Sequence, residues 1–226
     1  MAHRIAVVED DDAVRRMLVE ALAEQGHEVV GYSDGVSGLA GLRASPPALV
    51  LLDLRLPGLS GIEVCRALRA SPATARILVV MLTGLNAEAD EILGFEVGAD
   101  DYVTKPFTIA ALTARLQGVL RRGTPTPSET PLTLGPLVLH PGRREVTLVG
   151  KGLSLTPTEY RILHLLLSNP DRILTRQELI EGDPSPKEGR DRKADVHVTA
   201  LRGKLGSHAW LIDTVYGKGY RISRQG

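Results

Sequence analysis

Cysteine is almost missing from this sequence: Cys65 is the single one in 226 residues. One thiol excludes an intramolecular disulfide and a thiolate metal cluster, and it fits a reducing compartment. Cys65 falls on the apolar rhythm of Ile62-Glu63-Val64-Cys65, so it reads as a small buried hydrophobe. No apolar run approaches the ~20 residues that cross a bilayer. The start, Met1-Ala2-His3-Arg4, has no signal-peptide apolar stretch and leads straight into a strand pattern. These absences predict a cytoplasmic protein with no membrane partner. A Gly-x-x-x-x-Gly-Lys-Ser/Thr loop is missing, which argues against a nucleotide hydrolase, and no GxGxxG comes after the first strand.

Net charge is also absent, since 27 Lys and Arg balance 27 Asp and Glu. The balance is uneven along the chain. Residues 1–123 carry 12 cationic and 16 anionic side chains, a net of −4; residues 124–226 carry 15 and 11, a net of +4. An acidic half joined to a basic half suggests two jobs, with a polyanion as one partner for the basic half.

The first half alternates short apolar runs with helical patterns. Strands are expected at Ile5–Val8, Glu28–Gly31, Leu49–Leu52, Ile77–Met81 and Tyr102-Val103. The first, third and fourth are continuously apolar, as strands covered on both faces are. Helical patterns lie near 12–26, 35–44, 60–70, 88–97 and 108–122. Five such units predict an α/β domain, a doubly wound five-stranded parallel sheet over residues 1–122. Ligands of such sheets bind at the carboxyl ends of the strands. There the sequence places Glu9-Asp10-Asp11-Asp12, then Asp53, Thr83, and Lys105-Pro106. Clustered carboxylates repel unless a cation joins them, and oxygen-only donors suit a hard divalent ion such as Mg²⁺. Such a metal would let Asp53 act as a nucleophile on a phosphoryl donor, with Lys105 and Thr83 as partners of the acyl phosphate. Asp11 or Asp12 is expected to serve only as a helix N-cap.

Residues 123–131 are proline-rich and read as a semi-extended linker. In residues 132–226, alternating stretches at Leu132–Leu139 and Glu145–Leu155 predict a small antiparallel sheet. Thr156-Pro157-Thr158-Glu159 opens a helix with an N-cap, a first-position proline and a capping box. A second helix is expected after Thr175 and a third at about 191–205. The end alternates about a glycine turn, as a hairpin does. Three helices and then a hairpin suggest a winged helix-turn-helix, an α+β domain.

These motifs resemble a known family. Glu9-Asp10, Leu52-Asp53-Leu54-Arg55-Leu56-Pro57-Gly58, Met81-Leu82-Thr83 and Gly98 to Phe107 look like the flavodoxin-like receiver domain of bacterial two-component response regulators. Leu155 to Tyr160, Asp195-Val196-His197, Leu201 to Leu205 and Val215 to Arg221 resemble the winged-helix domain of the OmpR/PhoB subfamily. The resemblance implies a sensor histidine kinase as donor, Mg²⁺ or Mn²⁺ as cofactor, and double-stranded promoter DNA as target. RNA polymerase is a further implied partner. Glu9, Asp10, Asp53 and the backbone carbonyl of Arg55 would hold the metal, and Thr83 with Tyr102 would form the switch pair. The chain would be a phosphoacceptor with at most slow self-dephosphorylation, not an enzyme on other substrates.

The resemblance also sets finer expectations. Lys105-Pro106 is expected to be cis, and Leu85 to border the path of attacking water. A phosphorylation-dependent homodimer would use Asp101 with Arg115 and Asp100 with Arg122, while a third family pair is lost at Glu91 and Ala111. On the third C-terminal helix, Val198, Leu201 and Leu205 should be buried, with Arg192, Thr199 and Arg202 outward and His197 and Lys204 flanking. The DNA-contacting set is completed by Thr214, Lys218 and Tyr220, with Lys218 at the hairpin turn and His197 as either a phosphate ligand or a satisfied structural histidine. Two other readings stand beside this one: a C-terminal domain that docks a protein, and a metal-dependent acyl-phosphate phosphatase.

Overall fold

Runs of apolar side chains at strand spacing dictate the first sheet. A computed structural model describes residues 2–84, 97–123, 130–180 and 187–223. It separates into two compact units, Met1–Arg121 and Arg122–Gly226. The first unit runs β1 (Arg4–Val8), α1 (Asp12–Glu24), β2 (Glu28–Tyr32), α2 (Gly35–Ala44), β3 (Leu49–Asp53), α3 (Gly61–Arg69), β4 (Leu78–Thr83), β5 (Asp101–Thr104) and α4 (Ile109–Gly123). The expected helix near 88–97 and Leu85 lie outside the described residues, as does most of the expected linker.

All strands are parallel, in the order β2-β1-β3-β4-β5. The continuously apolar β3 and β4 are buried along their whole length, and β1 is buried from its second residue. Edge strand β2 is half-exposed. The core gathers Ile5, Val7, Leu49, Leu51, Val80 and Leu82 against Leu18 and Leu22 of α1 and Leu112 and Leu116 of α4. Cys65 is buried in α3, and burial pushes its thiol up to about 11, so it packs as a hydrophobe.

Register places the chemistry. Val8 lies opposite Leu52, so the next residue, Glu9, falls beside Asp53. Asp53 lies opposite Leu82, and Thr83 opposite Thr104, which sets Thr83 and Lys105 on the same edge. Asp11 caps α1, accepting from the backbone N–H groups of Ala13 at 2.8 Å and Val14 at 3.0 Å. Its carboxylate is therefore spent on the helix.

The second unit begins with an antiparallel sheet of β6 (Leu132–Leu134), β7 (Leu137–His140), β8 (Glu145–Leu148) and β9 (Lys151–Gly152). Three helices come next: α5 (Pro157–Ser168), α6 (Arg176–Leu179) and α7 (Lys187–Leu205). Capping boxes start both α5, through Thr156 and Glu159, and α6, through Thr175 and Glu178. A hairpin of β10 (Ile212–Val215) and β11 (Gly219–Ile222) closes the unit. Helix α7 starts four residues before the expected 191. Lys187-Glu188-Gly189-Arg190 contains no apolar side chain, so periodicity is silent there.

The hairpin is tied back to the segment before α6. Leu174 N–H donates to Tyr220 O at 2.8 Å and Tyr220 N–H to Leu174 O at 2.9 Å. The approach needs glycine next door. Gly219 has φ +152°, and a Cβ there would stand 2.0 Å from the Leu174 carbonyl oxygen.

Candidate functional site

Two charged side chains leave water at the sheet's carboxyl edge. Glu9 is 1 % exposed and Asp53 6 %. Burial pushes the Glu9 carboxyl up to about 7; the hydrogen bond from Lys105 works against this, and the neighbouring Asp53 charge adds to it. Carboxylate oxygens of Glu9, Asp10 and Asp53 lie within 4.8 Å of one another. Lys105 answers the crowding. Its Nζ donates to Glu9 Oε2 at 2.8 Å and also to Asp53 Oδ2. Burial works against the Lys105 charge, yet the bonds to Asp53 and Glu9 hold its pKa above the usual lysine value.

The other expected pocket residues surround this pair. Arg55 N–H donates to Asp53 Oδ1 at 2.9 Å. Lys105 N–H donates to Thr83 O at 2.6 Å, which joins the ends of β4 and β5. The Lys105-Pro106 bond is cis, as expected. Thr83 and Tyr102 are both buried. Three oxygen-donor side chains with one exposed member, Asp10, suit a hard divalent ion that keeps part of its water. The arrangement can present a carboxylate to a phosphoryl group and offer an ammonium to the product.

Asp100 corrects one expectation. Its carboxylate is 2 % exposed and accepts from Arg69 Nη2 at 2.9 Å and from Val79 N–H at 2.9 Å. The same guanidinium donates to the carbonyls of Ala75, Ile77 and Gly98. Asp100 is thus engaged inside its own chain, not offered to Arg122 of a second one. The side chain of Arg122 lies outside the described residues, and so does Glu91. Asp101 is also buried and pairs with Arg115 of the same chain at 3.2 Å.

Helix α7 sorts the expected DNA contacts. Val198, Leu201 and Leu205 are buried, as their spacing requires, and Ala194 joins them. Arg192 and Thr199 are exposed, and so is Lys218 at the hairpin turn. Thr199 Oγ donates to the Asp195 carbonyl at 2.8 Å. Five other residues take different places. His197 is 1 % exposed, which fits the structural histidine rather than the phosphate ligand. Arg202 is half-buried and bonded to the hairpin: Nε donates to Ile212 O at 3.1 Å and Nη2 to Thr214 Oγ at 2.9 Å. Thr214, half-buried, is the acceptor of that bond. Tyr220 is buried, with its hydroxyl donating to Asp195 Oδ1 at 2.6 Å. Burial, then that bond, pushes its phenol up to about 12. Lys204 donates to Glu159 Oε2 at 2.6 Å.

Sequence reasoning missed the hub of this unit. Arg176 Nε donates to Asp195 Oδ1 at 2.6 Å, and the guanidiniums of Arg176 and Arg202 lie 5.3 Å and 5.5 Å from the Tyr220 ring centre. Two arginines, one carboxylate and one phenol thereby lock α6 and α7 to the hairpin. The signal was faint: Asp195 on the apolar spacing of α7 marked a carboxylate that must find partners.

Residues 5–117 match the family described as response regulator receiver domain, and residues 150–222 the family described as transcriptional regulatory protein, C terminal. The chain is 41 % identical over 224 residues to the phosphate regulon transcriptional regulatory protein PhoB of Pseudomonas aeruginosa, covering 97 % of this chain and 96 % of the relative. It is 40 % identical over 232 residues to the transcriptional regulatory protein CseB of Streptomyces avermitilis, covering 96 % and 97 %. Among solved structures, the Thermotoga maritima OmpR/PhoB homologue DrrB is 30 % identical with a TM-score of 0.52, covering 99 % of this chain and all of that one. No helix among the described residues is long and apolar enough to cross a membrane.

Proposed function

The chain belongs to the OmpR/PhoB subfamily of two-component response regulators that act on transcription, and from that premise we propose that phosphorylation of Asp53 controls its pairing and its binding to promoter DNA. The observation that supports this reading is the Lys105 ammonium held between Glu9 and Asp53. Glu9, Asp10, Asp53 and the Arg55 carbonyl are proposed to hold Mg²⁺, or Mn²⁺ in its place. Bound there, the ion supplies charge neutralisation for the incoming phosphoryl group.

An Asp53 carboxylate oxygen bonds to phosphorus as the bond from the kinase histidine breaks. The new group adds ~1.5–2 negative charges beside carboxylates. Lys105 then shifts its hydrogen bonds from the carboxylates to the phosphoryl oxygens, and the Thr83 hydroxyl donates to another. Tyr102 moves after Thr83 and reports the change at the surface of β5. Return to the resting state is slow hydrolysis of the acyl phosphate, with no external substrate.

The linker, residues 123–131, joins the receiver, residues 1–122, to the DNA-binding domain, residues 132–226, in the cytoplasm. Exposed Arg192, Thr199 and Lys218 are the side chains proposed to meet the duplex, with Lys204 beside them, and RNA polymerase is a proposed further contact. The test is direct. Full-length protein is treated with a small phosphodonor with and without Mg²⁺, then analysed by intact mass, peptide mapping and retardation of promoter duplex. Label on Asp53 that needs the cation and tightens DNA binding is the expected result. Label elsewhere, or DNA binding indifferent to it, overturns the proposal.

Pairing of two copies is proposed to use the face of β5 and α4 where partly exposed Arg115 lies over buried Asp101. Because these two already meet within one chain at 3.2 Å, a cross-subunit bond must replace the internal one. The net gain is then small, because one ion pair is exchanged for another. Sedimentation of the phosphorylated protein should show a dimer that weakens with added salt, and Arg115→Ala should weaken it further. A tight dimer without phosphate would contradict this scheme.

A further inference from the structure

We propose that Arg15 is a positioning residue for the divalent cation: its guanidinium fork fixes the backbone that carries Glu9 and Asp10. The inference rests on the reading of Glu9, Asp10 and Asp53 as cation ligands. Arg15 lies in the first turn of α1 and folds back toward the end of β1. Its Nη1 donates to the Glu9 carbonyl at 2.7 Å and to the Asp10 carbonyl at 3.3 Å. Its Nη2 is paired with Asp12, which holds the fork in plane from the other side. The side chain is only 16 % exposed.

The Glu9 peptide groups are thereby tied on both flanks. Its N–H donates to Tyr32 O at 3.0 Å, and its carbonyl is taken by Arg15. With the backbone fixed at both bonds, the Glu9 side chain starts from a set position, and its carboxylate lies in the pocket with Asp53. Asp10 gains the same restraint through its own carbonyl. Partners that orient metal ligands in this way typically change affinity by about 10–100-fold when removed.

Room for the fork comes from Gly31 on β2. A Cβ there would stand 3.3 Å from both Cγ and Cδ of Arg15, so any larger residue must push the side chain. Charge alone argues the opposite way. A guanidinium near a cation site repels the cation, so deleting it would tighten binding. The two roles for Arg15 therefore predict effects of opposite sign.

The experiment uses the full chain and reads binding directly. Mn²⁺, in place of Mg²⁺, is titrated against the protein, and free ion is monitored by electron paramagnetic resonance. Arg15→Ala is expected to raise the Mn²⁺ dissociation constant about 10-fold. Arg15→Lys should also raise it, because a single ammonium lacks the second nitrogen that pairs with Asp12 while the first holds the two carbonyls. Gly31→Ala should raise it by less, while its thermal midpoint stays level or rises, since alanine suits a strand better than glycine. Binding by Arg15→Ala that equals or exceeds wild type overturns the inference. So does weaker binding confined to Arg15→Ala and matched by a lower midpoint, with Gly31→Ala unchanged. Failure of the wild type to bind Mn²⁺ instead removes the cation-ligand reading itself.

Discussion

Replacing Glu9 with glutamine is expected to raise the thermal midpoint of the metal-free protein while abolishing most of its affinity for divalent cations. The two effects share one cause. Glu9 is 1 % exposed, and its carboxyl is pushed up to about 7, chiefly by burial, despite the Lys105 bond. A folded-state value above the unfolded 4.5 means that the folded chain binds the extra proton. Its stabilising contribution is whole below about 4.5 and is lost as pH rises through about 7. At pH 8 the ionised form therefore costs at most about 3 kcal/mol.

Glutamine keeps the shape and an oxygen that accepts from Lys105, but it carries no charge to bury. In chelator, Glu9→Gln should melt higher than wild type at pH 8, and the two should converge at pH 5. Added Mg²⁺ should stabilise wild type and leave the variant nearly unmoved, because ligand binding stabilises only the protein that binds it. A lower melting point for Glu9→Gln in chelator, or equal stabilisation of both proteins by Mg²⁺, would show that Glu9 is not a charge held in place for a cation.

The residues of this pocket were legible because each terminates a strand whose apolar run is unmistakable. Leu49–Leu52 and Ile77–Met81 read as strands covered on both faces, and parallel register then brings Asp53 and Thr83 to one edge. Local chemistry was equally open. Thr156 with Glu159, and Thr175 with Glu178, form the capping boxes that their spacing implies. Long-range pairing was not legible. Nothing local tells that Arg69 reaches Asp100, 31 residues on, or that Lys105 bonds Glu9 as well as Asp53. Helix α7 misled for a specific reason. The periodicity argument gives one buried stripe and assigns polar residues outward, yet Lys193 and His197 are buried beside Ala194 and Val198. The helix is packed on more than one side, so polarity alone did not mark its open face.

Arg202 and Arg192 should therefore fail in different ways when each is changed to alanine. Arg202 supplies three hydrogen bonds, two to Ile212 O at 3.1 Å and 2.5 Å and one to Thr214 Oγ at 2.9 Å. Its guanidinium also lies over the Tyr220 ring. Charged hydrogen bonds contribute about 1.5–3 kcal/mol each, and a cation over an aromatic face about 0.5–1 kcal/mol more when exposed. Water will replace part of this, so Arg202→Ala is expected to destabilise the C-terminal unit by about 2–4 kcal/mol. Its DNA affinity should fall because the hairpin no longer holds its place against α7. Arg192 is exposed on the same helix, and its loss should leave stability within about 0.5 kcal/mol. If it meets a phosphate, the slope of log affinity against log salt should shrink by ~0.9. Chemical denaturation and salt-dependent gel retardation separate the two. An Arg202→Ala protein as stable as wild type, with the smaller salt slope, would return Arg202 to the DNA interface. Wild-type affinity in both variants would remove α7 from the interface altogether and favour a C-terminal domain that docks a protein.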